Sequence, residues 1–290
     1  MENLIFFFTY YPEYLTASVL LLSVMVGSFL NVLILRYPII LFREWLKDSD
    51  SLRDELPKHS ALQDLSKPYS ISFPRSHCPV CRATLKPWHN IPILSYIFLK
   101  GSCHQCGGRI SPRYPFVELL TGVLSVMPLV KFSFSFELIG LLFLTWALIA
   151  LSAIDIDHLL IPDSIVYVIL WSGLALNAYE GFVKLDVAVM GAIAGYLSLW
   201  SIYWVVKIFT GVESMGYGDF KLLAALGAWF GIGSLLPIIY IASVSMIAFV
   251  FFHFLRTKTL GRVPFGPFLS AAGWCTGVFS LTFSDVMFFI

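Results

Sequence analysis

Hydrophobic residues along this chain fall in long runs, separated by short polar or Pro/Gly segments and by one long hydrophilic stretch. The first run covers about Leu15 to Leu35, with Ser28 and Asn31 as its polar interruptions. The hydrophilic stretch extends from Arg36 to Arg113. From Tyr114 onward, seven further runs cover about 115–131, 136–154, 164–180, 187–208, 220–236, 237–255 and 266–286, the sixth of the eight carrying Gly227, Gly231 and Gly233. A bilayer core about 30 Å thick is spanned by roughly 20 helical residues, and only helices or closed barrels satisfy their backbone inside it. The pattern therefore predicts an all-α polytopic membrane protein of about eight transmembrane helices. Its expected parts are a first transmembrane helix (1–36), an extramembrane domain (37–113) and a seven-helix membrane domain (114–290).

Composition agrees. Of the 290 residues, 58% are hydrophobic and only 13% charged, and the mean hydropathy is +0.81. A soluble domain of this size could not hide that much apolar surface. The formal charge of +1 gives no argument for a nucleic-acid or acidic partner. Glu2 and Glu13 precede the first run and no basic residue does, which argues against a cleavable signal peptide. Gly191 and Gly195, four apart in the fifth run, predict close helix packing.

The basic residues set an orientation. The 36–113 stretch holds 12 of the 19 Lys and Arg, among them Arg53 and Lys58. If it is cytoplasmic, eight alternating helices also bring Lys207, Lys221, Arg256, Lys258 and Arg262 to the cytoplasmic side, leaving only Lys131 and Lys184 outside. In that threading the turn from Asp155 to Asp163 and the loop from Glu213 to Lys221 both lie at cytoplasmic helix ends.

Within the hydrophilic stretch, Cys78-Pro-Val-Cys81 and Cys103-His-Gln-Cys106 form two Cys-x2-Cys pairs. The two-residue spacing lets both sulfurs of a pair face one point, so the set predicts a tetrahedral structural Zn2+ site with no open position for a reactive water. Gly107 and Gly108 relieve the second turn, whereas Arg82 and Ala83 follow the first. The competing readings are two disulfides, which a reducing cytoplasm disfavours, and replacement of one ligand by His77, His89 or His104. Cys275, in an apolar run, reads as a small buried residue.

The carboxylates near the apolar runs are the other candidate chemistry. Asp155, Asp157 and Asp163 follow the third run, and Asp219 in Gly216-Tyr-Gly218-Asp219 precedes the sixth. A carboxylate at the edge of hydrocarbon needs a partner or a wet cavity and is a functional candidate. Two of them at one site do not easily both ionise, so one can act as base and the other as acid toward a water, which is aspartyl peptide hydrolysis. Gly216 and Gly218 would let the loop approach a helix or a peptide closely. Against this, Asp163 after Pro162 reads as a helix N-cap, Asp157 and His158 as solvated turn residues, and Lys221 as a headgroup anchor more than a local neutraliser. Glu118, in the second run, calls for a partner such as Arg109 or Arg113. A proton-coupled transporter with a zinc-stabilised domain uses the same groups as a relay, and a zinc-ribbon docking protein needs no chemistry at all.

A resemblance then enters. Gly27-Ser-Phe-Leu-Asn31, the paired knuckles, Asn90-Ile-Pro-Ile-Leu-Ser95, Ser111-Pro-Arg-Tyr-Pro-Phe-Val-Glu118, Ile154-Asp-Ile-Asp-His-Leu-Leu-Ile-Pro-Asp163, Gly195-Tyr-Leu-Ser-Leu-Trp200, Met215-Gly-Tyr-Gly-Asp-Phe-Lys-Leu-Leu223 and Pro264-Phe-Gly-Pro-Phe268 together resemble the type IV prepilin leader peptidases of the bacterial inner membrane. The resemblance implies that Asp155 and Asp219 are the catalytic pair, supported by Gly216, Gly218 and Lys221. It implies cleavage, on the cytoplasmic side, of the basic leader of type IV prepilins and type II secretion pseudopilins. It also implies methylation of the new N-terminal residue, usually Phe, from S-adenosylmethionine, with Gly101 at a matching position for methyl transfer. No glycine-rich nucleotide fingerprint supports that cofactor independently.

Overall fold

The structure, a computed structural model, describes residues 2–48, 59–63, 65–179, 181–212, 215–259 and 261–281. Arg53, Lys58, Glu213 and the end of the last apolar run, 282–286, lie outside the described residues. The chain forms two compact units, one of Thr16–Val126 and one of Met1–Leu15 with Met127–Ile290.

In the Thr16–Val126 unit, the first apolar run lies in a helix that does not stop where the hydrophobic pattern does. Helix α2, Pro12–Asp48, runs 37 residues, about 55 Å at 1.5 Å per residue and well beyond a bilayer core. Past Arg36 it carries Arg43, whose buried guanidinium donates to the carbonyls of Ala61 (2.5 Å), Leu65 (2.9 Å) and Lys67 (2.6 Å). Arg36 donates to Ser70 O and Ile71 O. The extra turns of α2 are thus the post to which the returning chain is tied. Helix α3 (Ser60–Gln63) and helix α4 (Leu94–Phe98) are short. Helix α5, Arg113–Val126, packs antiparallel on α2. Asn31 donates to Tyr114 O (3.1 Å), a Cβ on Gly27 would lie 2.8 Å from Glu118 Cα, and one on Gly122 would lie 2.8 Å from Val24.

The other unit opens with helix α1, Glu2–Tyr10, ahead of the first apolar run. It continues with α6 (Phe136–His158), α7 (Asp163–Ala178), α8 (Leu185–Thr210), α9 (Tyr217–Phe230), α10 (Leu235–Thr257) and α11 (Gly266–Phe279). Its core is α9, which is buried on every face from Leu222 through Trp229. A helix apolar all round has to sit inside others, and glycines let them close on it. A Cβ at Gly191 would be 2.3 Å from Gly227 O, and one at Gly195 would be 2.7 Å from Leu223 O, so the expected close approach of this pair is met by the backbone of α9. Trp229 fills the notch left by Gly173 and donates to Ile169 O (2.8 Å). Asn177 donates to the carbonyls of Ala228 and Trp229 at the end of α9.

Each of the eight predicted runs has its helix, but length separates them. Among the described residues, five helical segments are long and apolar enough to cross a membrane: Pro12–Asp48, Arg113–Val130, Phe136–His158, Leu185–Thr210 and Ile232–Thr257. Asp163–Ala178 is apolar but shorter, and α9 and α11 have 14 residues each. The predicted sixth run, 220–236, is cut at Phe230, because Gly231 turns to φ +77 and a 3-10 turn over Ile232–Ser234 leads into α10.

Candidate active site and metal centre

Helix ends position the carboxylates. Asp155 lies in the last turn of α6, which Leu159 closes in a left-handed conformation with its N–H on Asp155 O. Asp219 lies in the first turn of α9, its own N–H on Gly216 O (3.2 Å). Both side chains are buried, at 5% and 8% exposure. The charge of Asp155 is near enough to act on Asp219, and Asp219 Oδ1 is buried with no hydrogen-bond partner among the described residues.

Gly266, the first residue of α11, supplies the third part. Its N–H donates to Asp155 Oδ2 (3.0 Å), where a carboxylate at the negative end of α6 meets the positive end of α11. The side chain of Ile161 fills the angle between the loops, lying against both Gly218 and Gly266. The Pro264–Phe268 segment carries part of the family resemblance, but nothing in its sequence marks Gly266 for a role. A backbone donor has no side-chain signature, so only the approach of α11 to α6 reveals it.

The remaining acidic residues separate from this pair. Asp157 is exposed. Asp163 does not cap α7: Pro162 occupies the cap position, and Asp163 receives Lys221 at 2.6 Å. Lys221, expected mainly as a headgroup anchor, is therefore a local partner, and its ammonium also lies 5.9 Å from the Tyr167 ring centroid. Gly216 is the cap residue of α9, and a Cβ on Gly218 would lie 2.8 Å from Ile161 Cβ. Glu118 is held by the backbone N–H of Ile93 (2.7 Å) rather than by the arginines the sequence offered. Cys275 is half-buried rather than buried.

The two knuckles are near-copies of each other. Cys78 N–H donates to Ala83 O and Arg82 N–H to Cys78 O; Cys103 N–H donates to Gly108 O and Gly107 N–H to Cys103 O. Antiparallel bridges, His77 with Thr84 and Ser102 with Arg109, close each loop. Arg82 takes φ +57 where the second knuckle has Gly107 at +68, so the first turn keeps the same geometry without a glycine. All four sulfurs lie within 4.8 Å of one another, with Cys78–Cys106 at 3.8 Å and Cys81–Cys103 at 4.0 Å. A tetrahedral shell with Zn–S of about 2.3 Å has S···S edges of about 3.8 Å, so the cluster could hold such an ion. The cysteines are free thiols rather than disulfides. No histidine belongs to the cluster: His77 faces Arg75 O, and His89 stacks on His104. Backbone N–H groups of Cys106 and Gln105 pull the Cys103 thiol down to about 6.

Gly101, the expected methyl-transfer position, forms the reversal between α4 and the second knuckle. Its φ is +67, its N–H donates to Tyr96 O (2.9 Å), and a Cβ there would lie 3.0 Å from Tyr96 Oη.

Comparison with known proteins agrees over both halves. Residues 21–132 match the bacterial peptidase A24 N-terminal domain and residues 142–251 the type IV leader peptidase family. Three relatives carry the name prepilin leader peptidase/N-methyltransferase. That of Aeromonas hydrophila is 46% identical over 259 residues, covering 88% of each chain. That of Stutzerimonas stutzeri is 44% identical over 257 residues, covering 88% of this chain and 87% of its own. That of Pseudomonas aeruginosa is 43% identical over 270 residues, covering 91% and 90%. No solved structure matches.

Proposed function

The chain belongs to the type IV leader peptidase family, and we propose from that premise that Asp155 and Asp219 form the peptidase centre of a prepilin leader peptidase/N-methyltransferase. The observation that carries this reading is that these two carboxylates, 64 positions apart, are both buried and near enough for the charge of Asp155 to act on Asp219. Of the acidic residues beside the apolar runs, Asp157 is exposed and Asp163 is paired with Lys221.

In the proposed reaction one aspartate takes a proton from water as the water attacks the scissile carbonyl, while the other gives a proton to the carbonyl oxygen or the leaving amine. Gly266 N–H fixes the orientation of Asp155. Gly216 leaves room at the cap of α9, where a Cβ would meet only Asp219 Oδ2 at 3.9 Å among the described residues, so that an extended peptide backbone can approach there, while Gly218 lets Ile161 close against the loop. Lys221, through Asp163, ties the start of α9 to the start of α7 and steadies the loop that carries Asp219. The substrates are type IV prepilins and type II secretion pseudopilins, whose basic leader precedes an apolar helix. The scissile bond is thus brought to the membrane boundary by the substrate's own insertion.

The division into a first helix (1–36), a cytoplasmic domain (37–113) and a seven-helix membrane domain (114–290) gives eight spans in the bacterial inner membrane. The distribution of Lys and Arg supports placing knuckles and aspartates on the cytoplasmic side. Cys78, Cys81, Cys103 and Cys106 hold a structural Zn2+ whose filled shell stabilises the domain. The methyl donor is S-adenosylmethionine, used on the domain that contains Gly101. The deciding experiment incubates purified protein with a prepilin, with and without S-adenosylmethionine, and weighs the product N-terminus. A cleaved and singly methylated product is expected; an intact prepilin overturns the peptidase reading.

A further inference from the structure

We propose that the segment Pro87–Phe98, within the stretch that reads as hydrophilic, lies in the headgroup and upper acyl layer of the membrane and seats the cysteine knuckles on the lipid surface. Three observations within the Thr16–Val126 unit carry this: depth, exposure and charge.

Depth comes from the hydrogen bonds that pin the segment to α2 and α5. Ile93 N–H donates to Glu118 Oε2 at 2.7 Å, and Ser28 Oγ donates to Asn90 O at 3.4 Å. Ser28 and Glu118 stand at one level, since α2 and α5 touch at Gly27 and Glu118. Arg36 and Arg113 are the charges nearest the ends of the two apolar runs and mark the headgroup plane. Ser28 lies eight residues before Arg36, and Glu118 five residues after Arg113. At 1.5 Å per residue their common level is about 7.5 Å below Arg113 and about 12 Å below Arg36, which stands higher on the longer helix. The headgroup layer on one side of a bilayer is only about 5–8 Å thick. Asn90 to Ile93 are therefore tethered at or beneath its inner edge, and Ile93 is held there at φ +59, a conformation a β-branched residue keeps only under external constraint.

From that depth the segment presents large apolar side chains outward. Trp88, Ile91, Leu94, Ile97 and Phe98 are 46% to 81% exposed, and α4 buries no residue at all. Facing water, such a patch would be a liability; facing lipid, it continues the outward apolar surface of α2 and α5, where Phe29 (52%) and Phe116 (61%) are exposed. The charge fits one occupant. Between Leu65 and Val117 there are seven basic residues and no Asp or Glu. Lys86 and Lys100 flank the patch, with Lys86 Nζ 5.3 Å from the Trp88 ring centroid. Basic residues bordering Trp and aliphatic side chains match an anionic lipid surface.

The proposal rests on α2 and α5 crossing the membrane, and its test separates the two. Full-length protein is placed in nanodiscs of phosphatidylethanolamine and phosphatidylglycerol, with photoreactive benzoylphenylalanine replacing Phe98, Ile97, Phe29 or Val80 in turn. Val80, 68% exposed, sits on the first knuckle and is the aqueous control; Phe29 reports on α2. Lipid adducts at 97 and 98 at least fivefold above those at 80 are expected. Adducts at 29 but no excess at 97 and 98 overturn the proposal and leave the membrane reading intact, as do adducts there only to added prepilin; none at 29 overturns both. A second measurement needs no probe residue. The emission lost in Trp88→Phe should be quenched by lipids brominated near the top of the acyl chain, and quenching by aqueous acrylamide instead refutes the placement.

Discussion

Gly266→Ala tests the geometry of the candidate site most directly, because it adds one methyl group and alters no ionisable side chain. A Cβ at this position would lie 2.6 Å from Asp155 Oδ2 and 2.9 Å from Ile161 Cδ1. Ordinary contact of carbon with oxygen starts near 3.3 Å, so Asp155 must retreat by roughly 0.7 Å, and overpacking of this kind costs about 1–3 kcal/mol. The loss that matters is orientation: a misplacement approaching 1 Å at a reacting group lowers rate by about 100-fold. Leader cleavage should therefore fall by about two orders of magnitude in kcat, with KM little changed, because the substrate-facing loop at Gly216 and Gly218 is untouched. Methylation of a pre-cleaved pilin, measured by incorporation of labelled methyl from S-adenosylmethionine, should persist and so reports that the chain is folded. Adding Ile161→Ala removes the other clash without freeing Asp155, and should not restore cleavage. Recovery in the double variant, or cleavage within twofold of the parent in Gly266→Ala alone, would refute the assignment of Gly266 as the residue that positions Asp155.

Asp155→Asn and Asp219→Asn should each lower cleavage by about 10²- to 10⁴-fold, as seen by mass analysis of the prepilin, while membrane insertion is unchanged. Gly191→Val places a branched side chain where a Cβ would be 2.3 Å from Gly227 O; backbone cannot yield, so α9 should be displaced at a cost of about 3 kcal/mol or more, read as a lower unfolding midpoint. Metal analysis should find about one zinc per chain, with Cys103→Ser losing it and exposing 77–109 to proteolysis. In metal-free protein Cys103 should alkylate with a midpoint near pH 6, ahead of Cys106, whose thiol is pushed up to about 11. Because its folded value is depressed from 9.0, the stabilisation by its thiolate is complete above about pH 9 and is lost as pH falls through 6. Lys221→Met should cost no more than about 1 kcal/mol, since the Asp163 partner is 51% exposed.

The chain's one-dimensional pattern was sufficient wherever a physical requirement acts locally. Long apolar runs predict helices because a backbone in lipid has to bond to itself, and each run is a helix here. Two-residue cysteine spacing predicts the four-sulfur cluster because each pair is closed by its own turn; the structure adds that Arg82 tolerates φ +57 in place of a glycine. Gly191 and Gly195 announced close packing but not against what. Local signals failed where the partner is remote. Asp163 has the sequence of a cap and instead meets Lys221, 58 positions away. Glu118 found a backbone N–H rather than an arginine.

Resemblance named Asp155 with Asp219, but the physical reason that these acidic residues and not their neighbours share an environment lies in the tertiary structure alone. Asp155 and Asp157 are two positions apart on one helix, hence on different faces, and nothing local says which face turns inward. That choice follows from α9 lodging in the centre of its unit and α11 bringing a backbone N–H to Asp155, contacts that depend on residues 64 and 111 positions away. A hydrogen-bond donor that every residue possesses leaves no trace in composition or spacing; it becomes specific only when the helix carrying it arrives.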